Sequence, residues 1–237
     1  MKNNNDLFTT MPVGKAVAKL AIPTVVSQII VILYSLADTF FIGQIGDPNQ
    51  LAALSITFPI YTFLTAVANL FGIGANSVIS RSMGQNDEET AKTAKKASSF
   101  CFWGSIVVTA VLAIILAVFM KPILLFFGAD EFTLGFTDDY LFWVFVIGGI
   151  PTVGGLSLGH LVRSVGKTKE AGIGLTIGGI MNIILDTIFI FIFNMDVAGA
   201  AVATMISNTI SMIYFLIILL NIRKTTILTL SKIFFYE

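Results

Sequence analysis

Long apolar segments dominate this sequence and restrict it to one class of fold. A helix needs about 20 mostly apolar residues to cross the hydrocarbon core of a bilayer. Charged residues are 12% of the 237 residues, about half the fraction in a soluble domain, so a water-soluble core could not hide these segments. The sequence predicts an all-α, polytopic membrane protein with six transmembrane helices, at 20–43, 51–80, 97–120, 136–162, 171–194 and 197–221.

The basic residues predict the orientation of these six helices. Of the 14 lysines and arginines, 13 fall on the side of the membrane that holds both termini, and Lys121 alone falls on the other side. Positive loops stay in the cytoplasm, so both termini are expected there, in a multi-pass protein of the cell membrane. The predicted parts are a cytoplasmic segment 1–19, a membrane lobe 20–221 and a cytoplasmic segment 222–237. Net charge is zero, which gives no general attraction to nucleic acid.

Two carboxylates, Asp38 and Asp186, lie well inside the predicted helices. Asp38 follows Lys19 by 19 residues and precedes Asp47 by 9, and Asp186 follows Lys169 by 17 and precedes Asp196 by 10. At about 1.5 Å per residue, both lie in the outer half of the membrane at similar depth. An ionised side chain at the centre of a bilayer costs about 2.5–3.5 kcal/mol even on the lenient scale, so these acids need a partner, a cavity or a proton.

Two further polar side chains lie at the same level. Asn182 is one turn from Asp186 on the same helix face. Thr204 lies 8 residues after Asp196 on the returning helix, which brings its hydroxyl near the depth of Asp186. A cluster of Asp186, Asn182 and Thr204, joined by Asp38 if helix 1 packs beside it, suits a hard cation or a proton. The alternative is a polar cluster that only holds helices together.

The remaining polar signals are weaker. The predicted cytoplasmic loop 163–170 begins at Arg163, so no lysine or arginine is expected inside a membrane span. His160 is then expected at the cytoplasmic interface, as a snorkelling or hydrogen-bonded side chain. Cys101 is the single cysteine and has no partners for a disulfide or metal site. No Ser-His-Asp or Cys-His set is visible, so an enzyme is not expected.

Five stretches resemble one transporter family. They are "LAIPTVVSQIIVILYSLADTFFIGQIG", "RSMGQNDEETA", and the set "RSVGKTKEAGIG", "MNIILDTIFIF" and "DVAGAAVATMIS". These are similar to the first helix, the loop after helix 2, and helices 4 to 6 of MATE (multidrug and toxic compound extrusion) transporters. The resemblance covers about residues 11–225 and implies that this chain is the amino-terminal six-helix lobe, with 222–237 as the linker between lobes.

The resemblance also implies a function. It assigns cation binding, of Na⁺ or H⁺, to Asp38, Asn182, Asp186 and Thr204, and a coupled export of cationic or amphipathic organic compounds to the complete assembly. Neutralising the two acids would let helix 1 bend near Pro23. A second six-helix lobe, or a second chain, is then required as partner. The alternatives are a lipid-linked precursor flippase of the same superfamily, which usually has a basic cavity, and a non-transporting membrane scaffold.

Overall fold

The computed structural model describes residues 11–85, 88–222 and 226–230 as a bundle of long helices. Two π-helical segments, Phe142–Ile147 and Thr187–Ile192, follow α4 and α6. Every turn of a membrane helix satisfies its own backbone hydrogen bonds, which is why helices are the element that such apolar segments form. The α-helices are α1 (Val13–Gln44), α2 (Pro48–Gln85), α3 (Glu88–Phe126), α4 (Leu134–Leu141), α5 (Gly149–Ser164), α6 (Thr168–Asp186) and α7 (Asp196–Ile222).

The expected number of membrane crossings is confirmed. Within the described residues, five helices are long and apolar enough to cross a membrane, and one bent pair raises the number to six. The bent pair joins Leu134–Ile147 to Gly149–Ser164 at an angle of 50°, where the sequence predicted one span. The bend falls at Gly148, where an added Cβ would lie 2.8 Å from two backbone carbonyl oxygens, so a side chain there would collide with the preceding turn.

The helices pack unevenly. α2, α3 and α5 pack closely together, while α6 packs against both α1 and α7. α1 contacts α2 only lightly, and 6% of its most apolar stretch is buried, against 33% for α2 and α7. α1 therefore presents most of its surface to whatever surrounds the lobe.

The two ends of the predicted lobe differ from expectation in detail. α1 begins at Val13, within the segment 1–19 that was expected to precede the membrane lobe; residues 1–10 lie outside the described part. After α7, residues 226–230 fold back against α3. Ser98 Oγ donates to the carbonyl of Thr229 and accepts from its N–H (2.9 and 3.1 Å), and Trp103 donates to the carbonyl of Leu230. This part of the expected linker is therefore packed on the lobe.

Candidate cation-binding site

The four residues that the sequence selected are all buried. Asp38 on α1 is 9% exposed, Asn182 and Asp186 on α6 are 1% and 0% exposed, and Thr204 on α7 is 8% exposed. Asp38 lies close enough to Asp186 for its charge to act on that carboxylate. Helix α1 thus packs beside α6, as the depth argument required for Asp38 to join the cluster.

Asn182 links the other two members. Its amide nitrogen donates to Thr204 Oγ1 at 3.2 Å and to Asp186 Oδ1 at 3.5 Å. The second contact is at the long limit for a hydrogen bond, so it neutralises little of the negative charge. One amide therefore links a hydroxyl and a carboxylate, and the other oxygen atoms of the cluster take part in neither contact.

Three of those oxygen atoms have no donor within the described residues. Asp38 Oδ1, Asn182 Oδ1 and Asp186 Oδ2 are each buried and accept no hydrogen bond from any described protein group. Buried polar atoms in native proteins are almost always partnered, and in lipid the cost of an orphan is several kcal/mol. Three buried acceptors without a donor, on residues packed in one region, are what a cation or added protons would satisfy.

Small residues let α1 approach α6. An added Cβ on Gly172 would lie 2.7 Å from Ser27 Oγ, and one on Gly179 would lie 2.9 Å from the ring of Tyr34. Directly after Asp186 the helix widens into the π-helical segment Thr187–Ile192. π-Helical segments are rare in proteins, and those that do occur are frequently found at functional sites. The local sequence thus brings two acids together and changes the helix register beside one of them.

Asp38 and Thr204 line a cavity of about 380 Å³, here called the central cavity. Asn182 and Asp186 are not part of its lining and lie behind it. Sequence reasoning missed the tyrosines Tyr34, Tyr61 and Tyr140, which line the cavity and lie within reach of the charge of Asp38. The phenol hydroxyl of a tyrosine inside an apolar helix was the available signal for a polar cavity. The sequence could not show which tyrosines face the cavity, because that direction depends on helix packing.

A hydrogen-bonded chain supports the wall of the central cavity opposite α1. Asn208 on α7 donates to Thr152 Oγ1 on α5 at 2.8 Å, and its side chain also hydrogen-bonds Tyr61 on α2. Three helices are therefore joined by polar contacts at this level. Sequence reasoning did not select any of these residues, since each is common in membrane helices as a packing contact.

The prediction for Arg163 was wrong. It was expected to open a loop, but it lies in the last turn of α5, and it lines the central cavity together with His160. His160 is likewise inside the bundle and donates from Nε2 to Asn69 Oδ1 at 3.1 Å. A basic residue therefore lines the central cavity. The sequence argument against a flippase, which relied on the absence of such a residue, loses that premise.

Pro23 lies inside α1, which runs through it without a break. Proline has no N–H, so the helix lacks one backbone hydrogen bond at this turn. Ser27 Oγ donates to the carbonyl of Pro23 at 2.6 Å. The helix α1 thus continues through Pro23. The role of Pro23 as a hinge stays a prediction.

Together these features define a multi-pass helical membrane lobe with a buried acidic cluster beside an internal cavity. Comparison with known proteins identifies its family. The MatE family model matches residues 23–188, and the chain belongs to the MATE family.

Among relatives, the chain is 36% identical over 225 residues to the multidrug export protein MepA of Staphylococcus saprophyticus, covering 94% of this chain and 48% of that protein. It is 32% identical to MepA of Staphylococcus aureus over 210 residues, covering 89% and 46%. A crystal structure of MATE in complex with MaD5 has a TM-score of 0.89 at 24% identity, covering 99% of this chain and 52% of that one. The chain thus spans about half the length of the relatives it matches.

Proposed function

We propose that this chain is the cation-binding lobe of an antiporter that couples entry of Na⁺ or H⁺ to export of drugs or other organic compounds. The proposal depends on one observation: the three buried oxygen atoms of Asp38, Asn182 and Asp186 that have no donor among the described residues. A cation, or protons on the two acids, supplies what those atoms lack. The names of the MepA relatives, which are multidrug export proteins, support the same class of transport.

The coupling follows from the cost of charge in a low-dielectric site. With both acids ionised, their repulsion and desolvation favour a state in which water reaches the cluster. Binding of the ion removes that penalty and favours a drier packing of α1 against α6. A ligand shifts such an equilibrium only by its difference in affinity between the two states, so a few kcal/mol suffices.

Helix α1 is the element expected to move. It has the least buried surface of the spanning helices, it carries Asp38, and its hydrogen-bond ladder is already interrupted at Pro23. A bend there would change the shape of the central cavity, which Asp38 and Thr204 line. Narrowing of that cavity would release a bound organic compound. The remaining half of a full-length transporter, or a second chain, would supply the other wall.

The test uses the complete transporter in everted membrane vesicles. We expect Asp38→Asn and Asp186→Asn each to reduce cation-driven efflux of an organic-cation dye by at least about tenfold, since each removes a charged ligand worth more than about 1.4 kcal/mol. Asp139→Asn, at an exposed acid on α4, is the matched control and should keep wild-type efflux. Immunoblots of the vesicles check insertion. Wild-type efflux from both site variants would refute the coupling role.

A further inference from the structure

Arg163 is a half-buried cation that the proposed function does not use. Its Nε and Nη2 atoms are buried and have no hydrogen-bond partner among the described residues. Among the described residues, the two salt bridges join Lys92 to Glu88 and Lys167 to Glu170. Arg163 takes part in neither. Arginine keeps its charge in proteins, and buried polar atoms are almost always partnered. A negative group that the described residues do not supply is therefore expected beside Arg163.

A second pocket, also about 380 Å³ and here called the side pocket, meets the central cavity at this residue. Gln28, His160 and Arg163 line both spaces. The side pocket is further lined by the polar side chains of Thr24, Asn76, Ser80 and Thr168, and no acidic residue is among its described lining. The apolar side chains of Leu20 and Ile73 complete the lining. One fixed positive charge with neutral hydrogen-bonding groups and no acid beside it is the composition of an anion site.

The polar groups of the side pocket are held in place. Ser80 Oγ donates to Asn76 Oδ1 at 3.1 Å and reaches the carbonyl of Ser164 at 3.3 Å. Because the amide oxygen of Asn76 is thus occupied, its N–H₂ group is the part left to donate. The ring of His160 is held by Asn69. The donors around Arg163 are therefore preorganised by contacts between α2 and α5.

Gly72 on α2 makes the room that this arrangement needs. An added Cβ there would fall on the imidazole of His160, whereas one on Gly74, half a turn further along the same helix, meets nothing within 4 Å. The helix α2 thus has a glycine at the position where the ring of His160 packs against it. This is a specific fit beside Arg163, and it offers a matched pair of variants.

We propose that the side pocket binds an oxyanion, a phosphate or carboxylate group, on the guanidinium of Arg163. The planar fork of arginine matches the oxygen spacing of these groups, and the N–H₂ group of Asn76 adds a hydrogen bond. The group comes either from a free small anion or from the headgroup of an acidic phospholipid. The side pocket lies between α1, α2 and α5, and α1 contacts α2 only lightly. This inference does not depend on cation coupling.

Two binding measurements on the purified, detergent-solubilised protein test it. One is equilibrium dialysis with radiolabelled inorganic phosphate; the other is native mass spectrometry of phosphatidylglycerol retained against phosphatidylcholine. We expect Arg163→Gln to weaken binding at least about tenfold and Arg163→Lys to weaken it less. Arg81→Gln, at an exposed arginine in the last turns of α2, should not change it. Dependence in the phosphate arm identifies a soluble anion, and dependence in the lipid arm alone identifies a headgroup.

A second pair of variants guards against a folding defect in Arg163→Gln. Gly72→Ala should displace His160 and weaken the same binding several-fold, while Gly74→Ala should leave it unchanged. Each protein must elute as a single symmetric peak in size-exclusion chromatography. The inference is overturned if the wild-type protein binds neither probe, or if Arg163→Gln binds both as well as the wild-type protein does.

Discussion

The two ends of the central cavity carry opposite charge and are built differently. At one end Asp38 lies beside Asp186, on helices α1 and α6 that approach each other through glycines. At the other end Arg163 lies among neutral donors that α2 and α5 hold in place. Each end has buried polar atoms that the described residues leave without partners. The comparison predicts that one lobe can hold a site for a cation and a site for an anion, provided that each sits on a separate pair of helices.

The largest effect is expected from separating α1 from α6. In Gly179→Leu, the new side chain would displace the ring of Tyr34 and move Asp38 away from Asp186. Cation-driven efflux by the complete transporter should be lost, while phosphate binding at Arg163 should persist because α2 and α5 hold that end. Gly43→Leu, at an α1 glycine with nothing within 4 Å of an added Cβ, is the control. Equal loss at both ends would show that the two sites share one support.

A smaller effect is expected from removing one neutral ligand. Thr204→Val deletes the hydroxyl that accepts from Asn182 and leaves the side-chain shape nearly unchanged. The cation concentration for half-maximal efflux should rise about tenfold, because a hydrogen bond in a charged cluster contributes about 1.5–3 kcal/mol. Thr209→Val is the control on the same helix, since Thr209 Oγ1 donates only to the carbonyl of Met205 among the described contacts. An unchanged half-maximal concentration in Thr204→Val would remove Thr204 from the cation site.

The smallest effect is expected from coupling between the two ends. A double-mutant cycle of Asp38→Asn and Arg163→Gln, measured by the free energy of unfolding in detergent, should give a coupling energy within about 0.5 kcal/mol of zero, as is usual for separated sites without shared partners. A coupling above about 1 kcal/mol would mean that the acid and the arginine stabilise each other directly. The cavity would then contain one bipolar site.

The acidic cluster could be predicted because depth along a helix follows from residue counts alone. A fixed rise per residue placed Asp38, Asp186 and Thr204 at one level, and the one-turn spacing placed Asn182 beside Asp186. The resemblance to the MATE family, now shown by the match over residues 23–188, selects the same four residues. Their role in cation binding is still a prediction.

The basic end could not be predicted in the same way. Arg163 is the first residue after the predicted end of its helix, where boundaries are least certain, so the charge was assigned to a loop. The tyrosines of the central cavity and the bend at Gly148 were missed for a related reason. The neighbouring helices determine which side of a helix faces the interior. A membrane helix is apolar on all sides, so its sequence does not show which side that is.

The sequence by itself determined that this chain is a multi-pass helical membrane protein and which acids lie deep within it, because hydrophobic length and helical rise are properties of the local chain. Tertiary structure alone decided that α1 packs on α6, that three oxygens of the cluster are buried without a donor, and that Arg163 lines the central cavity. Those outcomes depend on contacts between helices distant in sequence, where small residues set how closely two backbones approach and so which side chains meet.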